Sequence, residues 1–130
     1  MLSKKILLLS ADSSMTRSMA TCLIQSGFKV VHTTRGFGAL ELIHTVKPVL
    51  IILDIELPDF NSLAIIRSLR ANQQNHRIPI ILFGSNLKEE DVLIGIEVGA
   101  DLCLLETFHP QVFVARVRSL LRRAELLKTN

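Results

Sequence analysis

Val49-Leu50-Ile51-Ile52-Leu53-Asp54-Ile55-Glu56-Leu57-Pro58 is an apolar run closed by a carboxylate and then by a proline turn. The run is continuously apolar instead of alternating, the pattern of a strand covered on both faces. A carboxylate at the end of such a strand costs free energy unless the strand delivers it to a site. Asp54 is therefore the first candidate functional residue.

Working outward, four more short apolar runs recur: Ile6 to Leu9, Phe28 to Val31, Ile78 to Phe83 and Leu102 to Leu105. Amphipathic stretches separate them. Met15, Met19, Cys22 and Leu23 share one face of a first helix that stops at Gly27. A second helix covers Phe37 to Thr45 and closes at Pro48. A third starts at Asn61 or Ser62, both capping residues, and carries Leu63, Ile66 and Leu69 inward. The fourth runs from Lys88 to Val98, with Glu89, Glu90 and Asp91 in its first turn and Gly99 as its stop. The fifth starts at Pro110 and buries Phe113, Val117, Leu120, Leu121 and Ala124. Strict alternation of strand and helix implies a parallel sheet with helices on both faces. The fold class is α/β: a five-stranded parallel sheet with five helices, flavodoxin-like, in strand order 2-1-3-4-5. Its ligand site falls at the carboxyl ends of the strands, near the topological switch point.

Composition limits the function classes. The 130 residues are 48% hydrophobic and contain no Trp or Tyr, which suits one domain with an aliphatic core. No apolar stretch approaches the roughly 18 residues of a membrane span. After Lys5 only four apolar residues follow in a row, too few for the apolar region of a signal peptide. A cytoplasmic protein without membrane contact is expected. Cys22 and Cys103 sit in apolar segments and read as buried free thiols. The formal charge is +3, with Arg116, Arg118, Arg122, Arg123 and Lys128 crowded towards the C-terminus, where basic residues suit a helix dipole. The aromatic or Gly-rich company of a nucleic-acid surface is missing, so no nucleic-acid binding by this domain is expected. His32, His44, His76 and His109 are scattered, which argues against a His metal site.

Asp54 to Ser62, Arg77-Ile-Pro-Ile-Ile-Leu82, Gly99-Ala-Asp101 and Ala115 to Arg123 together resemble, in order and spacing, the receiver domains of bacterial two-component response regulators. The resemblance covers essentially the whole chain, with residues 1–124 as the domain and 125–130 as a tail where a linker to an output domain would begin. It implies phosphoryl transfer to Asp54, an acidic pair after strand one holding Mg²⁺, a hydroxyl after strand four, and a Lys followed by Pro after strand five. The chemistry is positioning and charge neutralisation.

This chain departs at each supporting position. Ser10 and Ala11 stand for the acidic pair, Gly84 for the hydroxyl, and Glu106-Thr107 for Lys-Pro. Mg²⁺ wants oxygen ligands including one or two carboxylates. Asp12, one residue late, is the substitute ligand in an alternative reading, and otherwise a helix cap with Ser13 and Ser14. Asp54, Glu56 and Glu106 would gather like charges, which raise one another's pKa. Asp12, Asp54 and Glu56 are the residues of any metal site. The expectation is a degenerate receiver: not an enzyme, without a cofactor, and with Mg²⁺ only if Asp12 substitutes. It acts on a protein partner or a second copy through helix four, strand five and helix five, with Val92, Ile94, Leu102, Val112 and Arg116 as interface residues. A sensor kinase is a further partner implied by the resemblance. Two alternatives stand beside this: a conventional Asp54 phosphoacceptor, and a metal- or small-molecule-sensing variant.

Overall fold

The computed structural model describes residues 4–11, 13–104 and 109–129, with side chains to residue 127. Strands β1 (Lys5–Leu9), β2 (Lys29–Thr33), β3 (Leu50–Asp54), β4 (Ile80–Phe83) and β5 (Leu102–Leu104) alternate with helices α1 (Ser14–Gln25), α2 (Ala39–Val46), α3 (Ser62–Ala71), α4 (Glu89–Val98) and α5 (Pro110–Thr129). The sheet is parallel throughout, in the order β2-β1-β3-β4-β5. This is the topology expected from the apolar runs.

Alternation along the strands divides the core. Leu7, Leu9, Ile51, Leu53, Ile80 and Leu82 point to one face and pack on Ile43, Ile65, Ile66 and Leu69 of α2 and α3. Ile6, Leu8, Leu50, Ile52, Ile81 and Phe83 point to the other and meet Met19 and Leu23 of α1 and Phe113, Val114, Val117 and Leu120 of α5. Each fully buried Leu or Ile contributes roughly 1.5–3 kcal/mol, so register is firmly set. A one-residue slip would exchange the two faces.

Local signals place the ends. Asn61 caps α3 by accepting from the Leu63 and Ala64 amides at 2.9 and 3.3 Å. Gly27 and Gly99 end α1 and α4 with φ of 96° and 128°. Lys47 holds φ 53° at the end of α2, although a non-glycine is uncommon there. Helix α5 runs from Pro110 through Thr129. It buries Phe113, Val114, Val117 and Leu120, with Leu121 and Ala124 half-buried.

A second polar device ties α3 to the α4–β5 turn. Arg70 donates to the carbonyls of Gly99, His76 and Ile78 at 2.9, 2.9 and 2.7 Å and to the Asp101 carboxylate at 2.8 Å. Asp101 also accepts from the Ile80 amide at 2.8 Å, at the start of β4.

Candidate functional site at the carboxyl ends of the strands

Asp54 is the last residue of β3, half-buried, beside the ends of β1 and β4. Its Oδ1 accepts from the Glu56 amide at 2.9 Å. The carboxyl pKa is raised, chiefly by burial and in smaller part by the Glu56 charge, while the amides of Glu56 and Ala11 pull it down. No cation among the described residues contributes to the balance. The Ser62 hydroxyl donates a short hydrogen bond to the Asp54 carbonyl, fixing the turn from β3 into α3.

On the β1 side, Ser10 is fully buried and its hydroxyl is committed. It donates to the Ala11 carbonyl at 3.0 Å and touches the Thr16 hydroxyl. Thr16 donates to the same carbonyl at 2.8 Å, and Ser13 sits 3.0 Å from Thr16 while its oxygen caps α1. His32 closes the far side, with Nε2 2.9 Å from the Ser10 carbonyl. A closed hydroxyl cluster thus occupies the acidic-pair position. Thr16 is the residue that sequence reasoning missed, although a polar side chain at helical spacing with Met19 and Leu23 was a visible signal.

On the β4 side, Gly84 is buried and does more than lack a hydroxyl. A Cβ placed on it would lie 2.6 Å from Ile55 Cγ2 and 3.3 Å from Leu87 Cγ. Ile55 lies two residues beyond Leu53, packs on the same core face, and its amide donates to the Phe83 carbonyl at 2.8 Å. The space of the expected hydroxyl residue is filled by an aliphatic side chain. Ser85, the next hydroxyl, is exposed.

Asp12, Glu106 and Thr107 lie outside the described residues. Glu56 is exposed, and its contact with Asp54 runs through its backbone amide. Among the described residues no cluster of three or more His, Cys, Asp or Glu is arranged to hold a metal ion. Of the three residues named for a metal site, the described ones are Asp54, half-buried, and Glu56, exposed.

A further carboxylate has a structural task nearby. Asp59 accepts from the Gly36 and Phe37 amides at 2.8 and 3.1 Å, which holds its pKa down. It thereby pins the β2–α2 loop, where a Cβ on Gly36 would strike Phe60 at 2.5 Å.

The α4–β5–α5 region differs in detail from expectation. Ile94 and Val112 are exposed at 41% and 51%, and Arg116 is exposed, as expected. Val92 is instead half-buried, with the Cys103 thiol donating to its carbonyl at 4.0 Å. It precedes Gly95 by three residues and so shares its helical face. Gly95 lies so close to the sheet that a Cβ would come within 2.7 Å of Leu82. The outward apolar residues are Leu93, Ile94 and Ile96. Periodicity could not separate the faces, because Val92 to Ile96 is apolar on every side. Leu102 is half-buried and packs towards α5.

This fold, with an aspartate at the end of β3, defines a receiver-type α/β domain. The response regulator receiver domain family matches residues 6–118, and the chain belongs to it. It is 34% identical to the alkaline phosphatase synthesis transcriptional regulatory protein PhoP of Bacillus subtilis, over 96% of this chain and 51% of that protein. It is also 34% identical to the transcriptional regulatory protein GltR of Pseudomonas aeruginosa, over 98% of this chain and 52% of that protein. The chain spans about half the length of these relatives. Among solved structures, the BeF3-activated receiver domain of Klebsiella pneumoniae RstA matches at TM-score 0.82 and 34% identity, covering 92% of this chain and 99% of that one. The receiver domain of a Luxo repressor protein from Vibrio parahaemolyticus shares the fold at TM-score 0.88 and 23% identity, covering 98% and 97%. The chain is a receiver domain of a two-component response regulator, a class that interacts with sensor kinases. No helix among the described residues is long and apolar enough to cross a membrane.

Proposed function

We propose that this receiver works without phosphorylation, as a protein-binding module that presents α4, β5 and α5. The observation that carries the reading is the packing around Asp54. Ile55 fills the space next to Gly84, and Ser10 is spent on a hydroxyl cluster with Thr16. A carboxylate whose pKa is raised, without a neighbouring described cation, is poorly prepared to carry a doubly charged phosphoryl group. In the sequence, Glu106 stands where the family resemblance implies Lys.

The output surface follows from exposure. Leu93, Ile94 and Ile96 leave 60%, 41% and 55% of their surface open on α4. β5 ends the sheet and leaves an unpaired strand edge. Covering what remains of those three side chains contributes about 1 kcal/mol each. That sum falls below the cost of association, about 4 kcal/mol or more. The β5 edge and Val112 on α5 must share in the contact, and affinity is modest.

A second copy is the partner that the chain alone can test. Sedimentation of the wild type up to about 1 mM, where modest contacts become visible, is expected to show reversible dimers without any phosphodonor. Asp54→Asn should associate equally well and Ile94→Asp should not. A monomer that dimerises only on adding Mg²⁺ and beryllofluoride would refute the proposal and favour a conventional phosphoacceptor.

A further inference from the structure

The opposite end of the sheet, at the amino ends of β3 and β4 and away from Asp54, holds a cavity of about 540 Å³ between the α2–β3 turn, the α3–β4 turn and the last turns of α5. Its size suits a small organic molecule, since ligand sites typically span ~300–1,000 Å³. Pro48, Ile78 and Leu127 supply apolar walls, and His44, Lys47 and Arg77 stand around it. No Asp or Glu is among its lining residues.

That charge arrangement is unbalanced. Neither Lys47 nor Arg77 has a carboxylate partner among the described residues, in contrast to Arg70, which pairs with Asp101. Among the described residues Arg77 donates to the Leu127 carbonyl, at 3.5 Å, the outer limit of a hydrogen bond. Helix ends explain part of the cation clustering, because α2 and α5 both point their carboxyl termini at this end of the sheet. Each end counts for about half a negative charge, which offsets only part of two full cations. The Lys47 backbone is held in its left-handed conformation by the hydrogen bond that its amide donates to the Ile43 carbonyl at 2.9 Å, so the base of that cation is fixed.

We infer that this cavity binds a small organic anion, with the apolar body against Pro48, Ile78 and Leu127 and the anionic head between Lys47 and Arg77. Because α5 forms one wall, an occupant ties its last turns to the starts of β3 and β4. The site is thus placed to couple the last turns of α5 to the sheet, independently of Asp54.

Anilinonaphthalene sulfonate is a suitable probe, and its uncharged parent phenylnaphthylamine is the control. Amide-resolved NMR titration of the folded chain should show saturable shifts confined to Lys47, Val49, Asn75, Arg77 and Leu127, with a Kd below about 1 mM. The double substitution Lys47→Ala, Arg77→Ala should weaken sulfonate binding about tenfold and leave the neutral compound's weaker binding unchanged. Both side chains are exposed, and an unchanged amide spectrum elsewhere shows that the fold survives. Shifts centred on α4, equal binding of the neutral compound, indifference to the double substitution, or no binding by about 1 mM would each overturn the inference.

Discussion

Replacing Gly84 by Ser would restore a hydroxyl after β4, and the structure says that the position rejects it. The Gly84 backbone is not in the left-handed region, so the obstacle is not φ. It is the 2.6 Å between a new Cβ and Ile55 Cγ2, with Leu87 at 3.3 Å behind. Carbon atoms in contact sit about 3.5–4.0 Å apart, so roughly 1 Å must be recovered. Ile55 is β-branched and stiff at χ1, and its backbone is held by the bond to Phe83. Overpacking of this kind costs about 1–3 kcal/mol. Urea unfolding should show it as a lower midpoint with unchanged slope. Ile55→Ala removes the obstructing methyl and, at a half-buried site, should itself cost about 1–2 kcal/mol. The decisive quantity is the coupling. Gly84→Ser with Ile55→Ala should be at least ~1 kcal/mol more stable than the sum of the single effects. A Gly84→Ser protein within about 0.5 kcal/mol of wild type, or a cycle that closes additively, would refute the packing argument.

Three other outcomes follow from named contacts. Asp54→Asn keeps an acceptor for the Glu56 amide and removes a charge that burial disfavours. It should stabilise the fold at neutral pH. A folded pKa raised above the unfolded value contributes stability that is fully present below the unfolded pKa and lost as pH rises through the folded one. The variant's advantage should therefore vanish on acidification through that window; an advantage that grows instead would contradict the assignment. Arg70→Ala frees three carbonyls and the Asp101 carboxylate and should cost ~2 kcal/mol by chemical unfolding, with Arg70→Lys a poor rescue because the contacts use the forked guanidinium. Asp59→Ala should speed hydrogen exchange at the Gly36 and Phe37 amides and leave the core amides alone. The wild type should show the same loosening as pH falls through the lowered pKa of Asp59.

Much of this molecule could be read from residue order because its strands are buried on both faces. Runs such as Leu50 to Leu53 and Ile80 to Phe83 announce a parallel sheet, and Gly27, Asn61 and Gly99 mark where helices start or stop. Ser10, Ala11 and Gly84 could be picked out for the same reason, since they follow the two strands that flank β3. What the sequence hid is what depends on tertiary contact. Ile55 as the filler beside Gly84 required the spacing between β3 and β4. The Asp59 clamp joins residues far apart in the chain. Helix α4 concealed its outward face, since Val92, Leu93, Ile94 and Ile96 are all apolar and only the close approach at Gly95 shows which side meets the sheet. The basic cavity draws on three turns that no local pattern connects.

The central claim is that Asp54 marks a receiver's ancestry without serving as its switch. Its most direct test is an NMR titration of the chain with Mg²⁺ and beryllofluoride, the mimic of a phosphorylated aspartate, with Asp54→Asn as the control. The account predicts that the amides of Asp54, Glu56, Gly84 and α4 stay in place and that both proteins behave alike. A saturable, Mg²⁺-dependent shift of those amides in the wild type, absent from Asp54→Asn, would contradict it.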